Sequence, residues 1–268
     1  VDHSYKAILA QHLPGSTVKG ATVLTALHEG VMQPGEFIYD RKLLIGNDNP
    51  KGSYRDLGSV NDLTALQKSS NVYMFLAAIR MGGDTYIPRD KLNLGYSNYE
   101  KLLYYFNQFG LGVPTGIDMP SESTGYNGDN PHPGNQLDFA IGQYNSYTTL
   151  QLAQYVSTIA NDGYRVKPHL VKEIRKPSAE AADLGPLKEN INTTVLNRID
   201  MDQEYIDRVK LGFQYAFQRQ GGTAYGPFKN VDYSPAGKTG TAENEVFFKD
   251  SNGKTQRVDT ENLTMVGY

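Results

Sequence analysis

One stretch constrains this chain more than any other: Leu13-Pro14-Gly15-Ser16-Thr17-Val18-Lys19-Gly20, a turn that must open directly into a helix. Pro14 fixes φ just before the helix and Gly15 tolerates an unusual one. Leu24, Leu27 and Val31 then recur at helical spacing until Gly30 can cap the end. Ser16 is thereby predicted in the first turn, where its hydroxyl faces unpaired N–H groups and the positive end of the helix dipole. Lys19, three residues on, falls on the same face within side-chain reach. Serine at a helix start is most often only an N-cap, but a serine with an amine beside it is also a candidate nucleophile and base.

Two further stretches carry polar chemistry at turns. Asp62 is expected to cap a helix through Leu63, Leu66 and Gln67 that breaks at Lys68-Ser69-Ser70-Asn71. Val72, Phe75, Leu76 and Ile79 then resume helical spacing to Gly82-Gly83, so Ser69 and Asn71 occupy a helix-to-helix junction. Near the C-terminus, Lys238-Thr239-Gly240-Thr241 is too glycine-rich for a helix, and a β-like run from Leu263 to Tyr268 suggests a hairpin partner. On a sheet edge Lys238 and Thr239 would present a charge and a hydroxyl, with Gly240 letting a ligand backbone approach closely. A phosphate-loop reading of Gly-Lys-Thr fails on spacing, because Asp232 stands where that motif needs glycine.

The remaining segments frame these three. Ser97 with Glu100, and Thr148 with Gln151, form capping-box patterns ahead of apolar helical runs, and Ile206, Val209, Phe213, Ala216 and Phe217 define another helix. Tyr5 to Leu13 reads as an approach with no complete element, and Gln33 to Asn61 as loops with one short strand near Leu43 to Ile45. Lys176 to Asn192 reads as a surface excursion. Asp118 and Glu122 fit a solvated loop better than a glycosidase carboxylate pair. In 268 residues these segments can bury a full core as one α+β domain spanning 1–268. A net charge of −3 with both signs interspersed argues against nucleic acid and anionic lipid as partners. There is no cysteine, the five histidines lack metal-ligand spacing, and no cofactor is expected. No apolar run reaches the roughly 18 residues of a membrane span.

Together the Ser16/Lys19, Ser69/Asn71 and Lys238–Thr241 motifs resemble the transpeptidase domain of class B penicillin-binding proteins, from about Leu13 to Tyr268. The likeness extends to Pro114-Thr115-Gly116-Ile117-Asp118, Gln151-Leu152-Ala153-Gln154 and Thr158-Ile159-Ala160-Asn161. It implies the penicillin-binding/serine β-lactamase-like transpeptidase fold, a helical lobe against a five-stranded antiparallel sheet. Strands on both sides of this segment are missing from that pattern. The chain is therefore expected to be an internal fragment, truncated at both ends, with an incomplete sheet and a membrane anchor upstream.

The resemblance also implies a chemistry. Ser16 attacks the carbonyl between the two terminal D-alanines of a peptidoglycan stem peptide, and an amine of a neighbouring strand takes up the acyl group. Lys19 would be the base, Asn71 its orienting partner, and Ser69 a proton relay to the leaving amine. Lys238, Thr239, Gly240 and Thr241 would form the substrate-binding edge, with the N–H groups of Ser16 and Thr241 as oxyanion hole. A free lysine is protonated at pH 7 by about 4.6 kcal/mol, so the site must lower the Lys19 pKa, with Lys238 as the neighbouring cation. β-Lactam antibiotics would acylate the same serine. The implied setting is a cell-wall synthesis complex at the extracytoplasmic face of the cell membrane. A serine β-lactamase and a non-enzymatic β-lactam sensor are the alternatives. No Glu-x-x-x-Asn element of the class A β-lactamase kind stands between Asn71 and Lys238, and that interval is longer than is usual for those enzymes.

Overall fold

The computed structural model describes residues 5–129, 131–180, 183–251 and 253–268. The approach to the Ser16 turn is more ordered than its sequence suggests, with a one-turn helix α1 (Lys6–Leu9) and a short strand β1 (Gln11–His12). Pro14 and Gly15 open first into a 3-10 turn, Gly15–Val18, closed by the Thr17 hydroxyl donating to Pro14 O at 2.9 Å. Helix α2 (Lys19–His28) continues from it, and every residue from Lys19 to Leu27 is buried. A helix buried all round needs neighbours on every side. Here they include α4 (Asn71–Met81), α5 (Tyr96–Gln108) and α8 (Gln203–Gln218).

Between α2 and α4 the chain is less irregular than expected. Strands β2 (Ile38–Asp40) and β3 (Gly58–Val60) pair antiparallel, while Leu43 makes only an isolated bridge to Lys51. Helix α3 (Asp62–Lys68) is capped by Asn61 rather than Asp62: the extended Asn61 accepts the Thr64 N–H, and Thr64 Oγ1 accepts the Asn61 N–H. Asp62 is instead drawn into an ion pair with Arg208 at 2.6 Å. In α5 the capping position falls to Gly95, so Ser97 and Glu100 lie inside the helix and form no capping box. Helix α6 (Pro133–Ala140) begins with its proline, and β4 (Tyr147–Thr148) pairs with β1. The reciprocal Thr148–Gln151 box opens α7 (Thr149–Ala160) as its sequence predicts.

Beyond α7 come β5 (Tyr164–Val166), β6 (Glu173–Arg175), β7 (Leu187–Asn190) and β8 (Val195–Arg198), with β5 paired to β8 and β6 to β7. The excursion after Lys176 is thus tied down as a ribbon; Ala181 and Ala182 within it lie outside the described residues. Asp118 and Glu122 are not merely solvated. Glu122 accepts the N–H groups of Thr115 and Gly116, and Asp118 those of Leu170 and Val171, so each acid staples a loop. After α8 and the short α9 (Tyr225–Phe228), β9 (Gly237–Lys249) pairs antiparallel with β10 (Thr255–Gly267). Among the described residues all strands are joined as two-stranded ribbons, so the helical lobe faces one long hairpin rather than a wide sheet. At its start β9 alternates cleanly, with Lys238, Gly240 and Ala242 buried and Thr239, Thr241 and Glu243 on the more open face.

Candidate active site

The Ser16 turn is clamped from two sides. The Gly15 N–H donates to Gly142 O at 2.9 Å, and Gly142, at φ +80°, lies so close that a Cβ there would sit 2.1 Å from Gly15 O. On the other side, a Cβ on Gly240 would sit 2.6 Å from Pro14 O, and one on Gly15 only 2.6 Å from Thr241 O. Strand β9 therefore runs against the Ser16 turn backbone to backbone. Gly142→Ala should cost about 2–5 kcal/mol in thermal unfolding, from left-handed strain plus a backbone clash. Gly30→Ala, at φ +67° but facing open space, should cost only about 1 kcal/mol. Equal losses would show that contact with Gly15 adds nothing.

Between α3 and α4 the chain turns at Ser69, which holds a left-handed conformation at φ 60° and ψ 45°. A non-glycine residue there stores of order 1–3 kcal/mol of strain and persists only where its surroundings impose it. The corner aims three oxygens at one amine. Lys19 Nζ donates to Ser69 O at 2.9 Å, to Ser69 Oγ at 3.2 Å and to Asn71 Oδ1 at 2.6 Å. Asn71 Nδ2 donates to Gly52 O at 3.0 Å, which fixes the amide with its oxygen towards Lys19. Lys19 is one turn along from Ser16, and its backbone N–H donates to Ser16 O, but its amine is engaged by Ser69 and Asn71.

Both lysines of the motifs are fully buried. Burial, and then the charge of Lys238, holds the Lys19 amine well below the ordinary lysine range, against a smaller opposing pull from Asp40. Burial alone brings Lys238 down to about 7. Lys238 Nζ donates to Thr239 O at 2.9 Å, and Thr239 Oγ1 donates to Thr223 Oγ1 at 2.7 Å. Ser16 and Ser69 are half-buried and Thr241 is exposed, whereas Lys19 and Lys238 are shut away from solvent. A cleft of about 1050 Å³ opens beside Asn71, lined by Lys51, Phe75, Gln143, Glu243 and Arg257 among others.

Three segments distant in sequence thus meet: the Ser16 turn against Gly240 and Thr241, and Lys19 against Ser69 and Asn71 within the field of Lys238. Sequence reasoning missed Asp40, Ser53 and Gly142. Asp40 and Ser53 lie in a Gly- and Asp-rich stretch with no periodicity, and Gly142 sits in a small apolar patch with no polar motif to mark it.

The family model for the penicillin binding protein transpeptidase domain matches residues 4–268. The chain is 46% identical over 268 residues to penicillin-binding protein 2A of Bacillus subtilis, covering 100% of this chain and 37% of that protein. It is 29% identical over 259 residues to peptidoglycan D,D-transpeptidase MrdA of Acinetobacter baumannii, covering 89% of this chain and 34% of the relative. Among solved structures, penicillin-binding protein 2B of Streptococcus pneumoniae R6 superposes with a TM-score of 0.88 at 31% identity, over 100% of this chain and 43% of that one. The chain spans little more than a third of the length of the curated relatives it matches.

Proposed function

Because the chain belongs to the penicillin-binding protein transpeptidase family, we propose that it carries the acyl-transfer site of a peptidoglycan D,D-transpeptidase, with Ser16 as nucleophile. The single observation that carries this reading is the Lys19 amine, buried, depressed in pKa and held by Ser69 and Asn71 one turn from Ser16. A neutral Lys19 takes the proton of Ser16 Oγ as that oxygen bonds to the carbonyl carbon between two D-alanines. Negative charge then develops on the carbonyl oxygen, where the N–H groups of Ser16 and Thr241 would each contribute about 3 kcal/mol. The close approach of Gly15 and Thr241 supports placing those two donors together. Collapse breaks the C–N bond. Ser69 Oγ passes a proton from Lys19 to the departing amine, D-alanine leaves, and an ester to Ser16 remains. An acceptor amine reverses the sequence.

Thr239 and Thr241, on the open face of β9, would hold the substrate carboxylate beside the buried charge of Lys238, while Gly240 seats the strand against the Ser16 turn. A β-lactam offers the same carboxylate and a strained amide, so it acylates Ser16 without losing its leaving group. The whole protein would work at the extracytoplasmic face of the membrane within a cell-wall synthesis complex, on stem peptides ending in D-Ala-D-Ala. The test is intact-mass detection of a covalent adduct with labelled penicillin, followed by release of D-alanine from a stem peptide given an amine acceptor. Adduct formation with acceptor-dependent release supports the transpeptidase. A stable adduct without release favours a sensor, and rapid loss of the adduct a β-lactamase.

A further inference from the structure

Asp40, the last residue of β2, is fully buried, and a carboxylate shut away from water must be compensated nearby. Its Oδ2 accepts two hydroxyls, Ser53 Oγ at 2.7 Å and Ser70 Oγ. Its Oδ1 takes no hydrogen bond, and among the described residues no cation lies within ion-pair distance. Each hydroxyl hands the contact on. Ser53 Oγ accepts the Asn71 N–H at 2.8 Å, and Ser70 Oγ accepts the Tyr73 N–H at 3.0 Å as the cap of α4. One carboxylate oxygen therefore ties β2, the Ser53 loop and the start of α4 into the corner whose next atom, Asn71 Oδ1, receives Lys19.

An asparagine could accept the same two hydroxyls without burying a charge, so the hydrogen bonds alone do not explain an aspartate here. Charge does. The charged groups acting on Lys19 are Lys238 from β9 and Asp40 from β2. Lys51 and Asp138, farther out along the cleft, are paired with each other at 2.6 Å. Two buried amines and one buried carboxylate are neutral when the amines hold one proton between them. We propose that Asp40 is a positioning residue that also supplies a counter-charge to Lys19, holding the Ser70–Asn71 corner against that amine while offsetting the positive charge it takes on. Without it, the proton that Lys19 takes from Ser16 would enter a cluster with no anion. The kinetic part of this proposal rests on the acyl-serine reading above.

Asp40→Asn keeps the volume and both hydroxyl acceptances, so it isolates the charge. At its plateau, acylation by labelled penicillin should fall about tenfold, and the acid limb of its pH profile should move down by roughly one unit, because Lys19 loses the partner that favours its protonation. Asp40→Glu should restore the limb. Carbon-13 lysine NMR of the chain, with the Lys19 signal assigned by its loss in Lys19→Met, should show the amine titrating lower in Asp40→Asn. A reduced rate with an unmoved limb and an unmoved amine titration would overturn the counter-charge. If Asp40→Asn does not fold, the same change in a Lys238→Met background removes one cation with the anion. Compared with Lys238→Met alone, a downward move supports the proposal and no move overturns it. Should the wild type take no label, the acyl-serine reading fails, while the NMR titration still decides the role of Asp40.

Discussion

Ser16→Ala should abolish covalent capture of penicillin while leaving the fold intact. Loss of the nucleophile in a serine acyl-transfer site costs on the order of 10⁶ in rate, so intact-mass measurement should find no adduct after hours where the wild type is labelled. Stability should change little, within about 1 kcal/mol, because the turn is closed by Thr17 Oγ1 on Pro14 O and by the Gly15 N–H on Gly142 O. The half-buried Ser16 side chain is not what holds it. A Ser16→Ala protein that still traps the drug at full stoichiometry would remove Ser16 from the mechanism, whatever the neighbouring amines do.

Lys19→Met should slow acylation by about 10²–10⁴, the range for losing a positioned base. Lys19→Arg should fail as badly, since a guanidinium keeps its proton and cannot accept another. Arginine restoring the rate would mean that Lys19 serves as a fixed positive charge. With Lys19 as the proposed base, wild-type acylation should require the neutral amine, so its rate should rise with pH through a Lys19 pKa lying well below 10.5. Stability should follow pH with the same sign. Lys238 binds its proton with a pKa of about 7 when folded and near 10.4 when unfolded, so between those values the unfolded chain holds more protons. Its contribution is therefore complete above about pH 10.4 and is lost as pH falls towards 7, at up to about 1.4 kcal/mol per pH unit. Lys238→Met should flatten that part of a denaturation series run from pH 7 to pH 9; an unchanged slope would show that Lys238 is not buried as an amine.

What could be read from the residues alone was local. The Pro-Gly turn before Ser16, the three-residue step to Lys19, the Ser69-Ser70-Asn71 break and the Thr148–Gln151 box are each set by neighbours within one helical turn. What could not be read depends on distant partners. Asn61 and Asp62 are both good caps, and Arg208, far along the chain, is what draws Asp62 away from that role. Helix α2 carries Lys19, Gly20, Thr22 and Thr25, which suggests an exposed face, yet other helices enclose it. Thr22 and Thr25 then satisfy their hydroxyls on Ala140 O and Ala21 O. The close fit of Gly15, Gly142 and Gly240 exists only after three segments fold, and Asp40 has no signature at all in its irregular stretch.

The β9–β10 ribbon gives this site an unusual failure mode. Side chains along a strand alternate, so sliding β9 by a single residue against the Ser16 turn would exchange Lys238 for Thr239 in the interior and drive the amine outward. Every reactive group would still be present and the chain would still look folded, yet the two amines would no longer sense each other. Strand alignment is thus a setting this chain must hold, and Gly240, where a Cβ would sit 2.6 Å from Pro14 O, is the point at which β9 seats against the turn.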